Sequence, residues 1–313
     1  MTIEKMLMHN VQTVRKDLVW QFGDSSDGVI EFAGIVDKGY IEVGYLYGDA
    51  KPKNIIVIST QVGCPSKCHF CDLGSQPFVR NLYPQEMYDQ VALMLQQAMK
   101  YGIDVPKSKH KINYAKSGEP LFNPHFVEGL ETLSELDFTY KIATIFPSGQ
   151  QPMARFQNLA RFASNYTAPT QIQISLISTS EEYRQNSIGT PLASFKELRK
   201  AADYWKTQNP NGRKINLSLI MTEDVSVNID EISDIFPSEL FRFRFRNYVE
   251  TEHGLSQGLE TITQNRFDVL AKQFQDRGYE VGTWATPSPV EQRFGLASNV
   301  SLRRYQKIIN GDI

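Results

Sequence analysis

The chain has 313 residues, 41% of them hydrophobic, and its 33 basic and 35 acidic side chains leave a net charge of −2. That length allows one large or two modest domains around a real core. The charge balance excludes a global electrostatic footprint for a polyanion and leaves room only for a local basic face.

Near the N-terminus, residues 17–22, 29–35 and 40–47 are short β-like runs. They are separated by Gly23-Asp24-Ser25-Ser26-Asp27-Gly28 and by Asp37-Lys38-Gly39, which predicts a small antiparallel meander. Gly48-Asp49-Ala50-Lys51-Pro52-Lys53 breaks the pattern. From residue 54 strands and helices alternate. Strands are predicted at 54–59, 110–115, 138–145, 170–176, 214–221 and 241–247, with a last one at 279–284. Helices are predicted at 84–101, 124–136, 151–164, 181–184 resuming at 193–207, 228–235 and 261–277.

Six successive βα units argue for an α/β fold with a parallel sheet and external helices. Their number suits an open, partial (β/α)6 barrel, short of the eight units that close one. The expected division is a β-meander extension over 1–53, the barrel over 54–250, and a C-terminal extension over 251–313 that caps it. In such folds the chemistry lies on loops after the C-terminal ends of the strands.

All three cysteines of the chain fall in one loop behind the first parallel strand, Cys64-Pro65-Ser66-Lys67-Cys68-His69-Phe70-Cys71. Three thiolates on one tight loop can hold three corners of an iron–sulfur cubane and leave one iron without a protein ligand. The competing reading is a zinc knuckle that takes His69 as its fourth ligand. Unpaired thiols fit a reducing compartment, so a cytoplasmic location is expected. There is no run of about eighteen apolar residues for a membrane span, and Met1 to Met6 do not begin a signal peptide.

The CxxxCxxC loop in this position resembles that of the radical S-adenosylmethionine (radical SAM) superfamily. Ser59-Thr60-Gln61-Val62-Gly63-Cys64-Pro65, with Gly74, Gln76, Phe78 and Arg80-Asn81-Leu82, resembles one branch, the ribosomal RNA adenine C2/C8 methyltransferases that include the florfenicol-resistance enzymes. Gly118-Glu119-Pro120-Leu121-Phe122-Asn123 is similar to their GEP segment, Ser148-Gly149 to their Ser-Gly, and Ser175-Leu176 to their SLH segment, with Ile177 in place of the histidine. Asn247 ends the last barrel strand as an asparagine does there.

The resemblance implies a [4Fe–4S] cluster on Cys64, Cys68 and Cys71, with SAM chelating the open iron. Gly118 and Glu119 would hold its methionine end, and Ser148, Ser175 and Asn247 would complete the cofactor site. It implies reductive cleavage of SAM to methionine and a 5′-deoxyadenosyl radical that abstracts a hydrogen atom. An outside one-electron donor such as flavodoxin or ferredoxin is needed. Glu42 resembles a strand glutamate that acts as acid or base in the relatives; the alternative is a solvent-facing carboxylate.

The chain departs from that branch at its two working cysteines. Phe294 or its neighbour stands at the methyl-carrier position, and Val57 at that of the cysteine that resolves the RNA adduct. No fourth cysteine can replace either. The helical N-terminal RNA-binding domain of that branch has no counterpart in the sequence. These departures and the net acidity lead to an expected substrate that is a small molecule, nucleotide or peptide, with ribosomal RNA an unlikely partner. The alternatives are an RNA-modifying enzyme with different chemistry, which a basic face at the barrel mouth would support, and a non-catalytic iron–sulfur sensor.

Arg242-Phe243-Arg244-Phe245-Arg246 alternates with period two. With Asn247 turned to SAM, Phe243 and Phe245 are expected to line the barrel and the arginines to meet the helix layer, paired with acids such as Glu250 or Asp234. The other reading gives Arg244 or Arg246 an anionic group of the substrate. His125 and His253 read as surface residues, and Arg293 and Asn299 as polar groups of the pocket.

Overall fold

A computed structural model describes residues 2–11, 20–22, 28–47, 54–166, 169–284 and 311. Arg293, Phe294 and Asn299 lie outside them. A short helix α1 (Ile3–Leu7) precedes three antiparallel strands, β1 (Trp20–Phe22), β2 (Val29–Val36) and β3 (Gly39–Leu46). β3 pairs antiparallel with β4 (Ile55–Ile58), so the meander continues the main sheet rather than forming a separate layer. β5 (Gln61–Val62) and β6 (Arg80–Asn81) form a two-stranded clip that frames the cysteine loop. Helix α2 (Pro84–Lys100) follows, begun by Pro84 and Glu86, whose carboxylate accepts from the Tyr83 amide.

The alternation then runs as β7 (His110–Tyr114), α3 (Phe126–Glu131), β8 (Phe138–Thr144), α4 (Gln150–Asn165), β9 (Thr170–Ile177), α5 (Glu181–Asn186), α6 (Phe195–Gln208), β10 (Ile215–Met221), β11 (Phe241–Asn247), α7 (Glu252–Ser256), α8 (Gln264–Asp276) and β12 (Val281–Trp284). Strands β4 and β7 to β12 are parallel neighbours in chain order. The α/β fold with a partial parallel barrel is as expected from the alternation.

One predicted helix fails. Residues 228–235 yield only a 3-10 turn, Ile229–Glu231. The Asn228 side chain caps that turn, accepting from the Asp230 amide at 3.0 Å, so the start of the predicted helix forms and its continuation does not. Buried Ile229 and Ile232 fix the turn to the core.

The facing of the arginine strand also differs from expectation. Phe243 and Phe245 pack edge-on against Phe274 of α8, with ring centroids 4.6 and 5.0 Å apart. The arginines therefore take the opposite, concave face. Phenylalanine gains more by joining the apolar helix layer than by lining an open concavity, and period two alone does not say which face that is.

The bottom of the barrel carries a pH-sensitive contact. His110 is 1% exposed; its Nδ1 donates to the Ser108 carbonyl at 3.0 Å and its Nε2 lies 2.9 Å from the Tyr45 hydroxyl. Burial lowers its pKa to about 4, against about 6.5 in the unfolded chain. The native state holds the ring neutral, so its contribution is complete above pH 6.5 and is lost as pH falls toward 4. Its expected size is about 3 kcal/mol across that window. Urea unfolding at pH 7 and pH 5 should show about 2 kcal/mol of this loss, and His110→Gln should remove that component. An unchanged slope in the variant would assign the pH dependence elsewhere.

Candidate active site

The cysteine loop leaves β4 through Ser59 and Thr60, whose backbone is tied to the next strand's loop. The Thr60 and Gln61 amides donate to the Ser117 carbonyl at 2.8 and 3.1 Å. Gly63 turns the chain at φ +70°, donating to the Tyr40 carbonyl, and a Cβ there would sit 1.9 Å from the Pro77 carbonyl oxygen. Only glycine fits that conformation at that distance.

A segment far along the chain closes the loop from the other side. Cys68 pairs with Ile188 in an isolated bridge, the His69 amide donates to the Ser187 carbonyl at 3.0 Å, and the Gly189 amide donates to Ser66 at 3.1 Å. Ile177 packs on the same cluster as Cys68 and Ile188. It ends β9 with φ +70°, a strained conformation for a β-branched side chain. The bulge that creates it lies where β9 shifts register against β10.

The three thiols are held close enough to oppose one another's ionisation. Burial, then Cys64, Cys71 and Glu119, raises the Cys68 thiol well above its ordinary pKa. Burial and then Cys64 push Cys71 up to about 12, with Asp72 and Glu42 adding to the effect. Burial also raises Cys64, against donors that include the Gly118 amide. Such a set becomes thiolate only beside strong positive charge, which a soft-metal cluster provides. Among the described residues no three His, Cys, Asp or Glu side chains are gathered as tightly as a single metal ion requires. A cubane bonds its cysteines to separate irons, so the donor set fits it. The His69 ring instead stands edge-on to His253, with centroids 6.5 Å apart.

Gly118 and Glu119 lie beside this loop, but part of their role is internal. Gly118 has φ +104°, and a Cβ would come within 2.6 Å of Gln61 Cβ, so its freedom serves packing against the clip. Glu119 is 3% exposed. Its carboxylate accepts from Leu121 N at 2.9 Å, Thr144 Oγ1 at 2.6 Å and Ile145 N at 2.9 Å. Burial raises its pKa to about 7 against these donors. Three of roughly four acceptor positions of the carboxylate are used, which leaves one.

Ser148 and Ser175 are half-buried at the ends of β8 and β9. The Ser148 amide donates to the Pro191 carbonyl at 3.0 Å. Asn247 ends β11, and its Oδ1 has no partner among the described residues. The topology thus gathers the predicted groups at one end of the sheet.

Glu42 is not solvent-facing. It is fully buried, accepts from the Tyr40 hydroxyl at 3.0 Å and faces Lys116 Nζ at 3.6 Å. Lys116 also pairs with Glu31, equally buried, on β2. Sequence reasoning missed Lys116, Glu31, Thr144 and the Ser187-Ile188-Gly189 brace, for which the chain offers no local signal. The backbone amide of His253 donates to Asp72 Oδ1 at 3.1 Å and ties α7 to the cysteine loop.

A family model described as the Radical SAM superfamily matches residues 58–226. The chain is 27% identical over 215 residues to the "Dual-specificity RNA methyltransferase RlmN" of Ruthia magnifica subsp. Calyptogena magnifica, covering 67% of this chain and 57% of that protein. It is 28% identical over 271 residues to the protein of the same name in Vesicomyosocius okutanii, covering 82% of this chain and 69% of that one. Among solved structures, a radical SAM methyltransferase from Sphaerobacter thermophilus superposes with TM-score 0.70 at 19% identity, covering 85% of this chain and 75% of that one. The expectation that ribosomal RNA is an unlikely partner does not stand against relatives that are themselves named RNA methyltransferases. Net charge misled because it averages over a surface and says nothing of one face.

Proposed function

The chain belongs to the radical SAM superfamily, and on that premise we propose that it is an RNA-modifying enzyme whose chemistry begins with hydrogen-atom abstraction. Its cofactors are the [4Fe–4S] cluster and SAM of that superfamily. When bound, the cluster and SAM would supply one-electron reductive cleavage and, from it, hydrogen-atom abstraction. The observation that carries the proposal is the convergence of all three thiols with Gly118 and Glu119 at the C-terminal end of the parallel sheet.

In this reading Cys64, Cys68 and Cys71 are the cluster ligands. The Gly118 amide donates to Cys64 and steadies the first of them. Glu119 offers its remaining acceptor position to the ammonium of SAM, while Thr144 and Ile145 keep its carboxylate from swinging out. Ser148 and Ser175 orient the nucleoside end; Asn247, in unbroken register with Phe243 and Phe245, shares their helix-side face and is not assigned to it. Glu42, beside Cys71 and hydrogen-bonded by Tyr40, is the acid–base group on that flank. The hydrophobic cluster of Ile145, Ile177 and Ile188 excludes water from the inner side of the loop.

The RNA substrate is supported by the named relatives and by the basic concave face of the barrel. The absence of a fourth cysteine from the sequence argues against methyl transfer through a methylated cysteine. The three thiols, none in a disulfide, support a reducing compartment such as the cytoplasm. Among the described residues no helix is long and apolar enough to cross a membrane.

The test is anaerobic reconstitution with iron and sulfide, followed by dithionite, SAM and either ribosomal RNA or none. Methionine and 5′-deoxyadenosine should form together, faster with RNA, and a nucleoside of the RNA should change mass. S-adenosylhomocysteine as the main product would overturn the radical reading. SAM cleavage indifferent to RNA, with no altered nucleoside, would overturn the substrate.

A further inference from the structure

The concave face of the barrel carries charge that the cofactor chemistry does not use. On β7, β8 and β11 the aromatic side chains Tyr114, Tyr140, Phe243 and Phe245 turn to the helix layer, as their ring contacts with Phe126, Phe162, Phe267 and Phe274 show. The residues between them face the other way. These are Lys111 and Asn113 on β7, Lys141 on β8 and Arg244 on β11. Register sets Asn113 beside Lys141, and on the neighbouring strands Gln173 beside Asn216 and Arg244 beside Ser218.

These cations feel one another. Burial first, then Arg246, Arg244 and Lys111, drives the Lys141 ammonium well below its ordinary pKa. Burial, Arg213 and Arg244 lower Lys111. Yet among the described residues none of Lys111, Lys141 and Arg244 makes an ion pair with a carboxylate, whereas Arg242 and Lys214 at the strand bottoms share Glu280. The face also leaves Asn113 Oδ1, Gln173 Oε1 and Asn216 Oδ1 without partners, although Gln173 and Asn216 are each only 3% exposed. Folding alone does not reward a cluster of repelling cations lined with unsatisfied amides.

We propose that this face is a phosphoryl-binding site, in which Arg244 grips two phosphate oxygens and Lys111 and Lys141 neutralise the remaining charge. An oxyanion relieves the mutual repulsion, and the planar guanidinium matches it bidentately. The site deepens the RNA reading above and rests on it for its source of phosphate, either a phosphodiester of an RNA strand or the phosphate of a free nucleotide.

The test measures binding rather than turnover, on the full reconstituted chain with SAM present. Titration calorimetry compares adenosine, 5′-AMP and a single-stranded RNA dodecamer. At least one phosphorylated probe should bind about tenfold or more tighter than adenosine, and Arg244→Gln or Lys141→Gln should erase that advantage without changing adenosine affinity. A preference confined to the dodecamer identifies a phosphodiester; a preference already present in 5′-AMP identifies a free nucleotide. Both variants should melt no lower than the parent, because each relieves repulsion, and inorganic phosphate should raise the parent's melting temperature more than theirs. Equal affinity for adenosine and both phosphorylated probes, or variants that bind them as the parent does, would overturn the site. RNA-independent SAM cleavage would sink the functional reading while leaving this binding result standing.

Discussion

Replacing Cys64, Cys68 or Cys71 with alanine will reduce SAM cleavage to the background of a protein-free reaction while leaving the barrel folded. The two halves of that result have separate causes. Activity fails because the chain contains no fourth cysteine to take over a vacated iron, and a cluster held by two thiolates is exposed to solvent and oxidation. The fold persists because the loop is fixed mainly by its backbone: Gly63 on Tyr40, His69 on Ser187 and Gly189 on Ser66. Removing a thiol also removes one of the groups whose mutual repulsion raises Cys68. The check is iron and sulfide content with visible absorption after anaerobic reconstitution, beside 5′-deoxyadenosine yield and circular dichroism. A C71A protein that kept a full complement of iron and cleaved SAM at the parental rate would show that the cluster assignment is wrong.

The second large effect concerns stability. Lys116 is 1% exposed at its side chain, and it stands against Glu31 and Glu42, both fully buried. Lys116→Met would leave two carboxylates facing each other away from water. Breaking a buried ion pair by removing one partner costs about 3–5 kcal/mol, so the urea midpoint should fall sharply with little change in slope. The triple variant K116M/E31Q/E42Q should recover much of that loss, since the damage lies in the uncompensated charge. Iron retention should fall in K116M as well, because Glu42 already acts on Cys71 and would do so without its counter-ion. A loss below about 1 kcal/mol in K116M would place it with exposed pairs and contradict the burial.

Parts of this were legible before any coordinates. The spacing Cys64, Cys68, Cys71 behind a short apolar strand marks a cluster loop because thiolate chemistry is local: three ligands within eight residues need no tertiary information to be recognised. The βα alternation is equally local, since hydrophobic period tracks the backbone period of each element. The 228–235 segment shows the limit of that logic. Its pattern is helical, but only a first turn forms, capped by Asn228 and anchored to the core by buried Ile229 and Ile232.

Other features were invisible for a common reason. Lys116 meets Glu31 across 85 positions of chain, and Asp72 meets the His253 amide across 181. No window on the sequence contains both partners of either contact.

The sequence by itself determined the α/β class and the gathering of all three cysteines in one loop behind the first parallel strand, because each depends on residue identity and short-range spacing. Only the tertiary structure decided that Arg244 and Lys141 share the concave face and that Glu42 is buried beside Lys116. An alternating strand has two faces of equal standing until a helix covers one. Here α8 covers the phenylalanines, and the cations are left on the opposite, concave face.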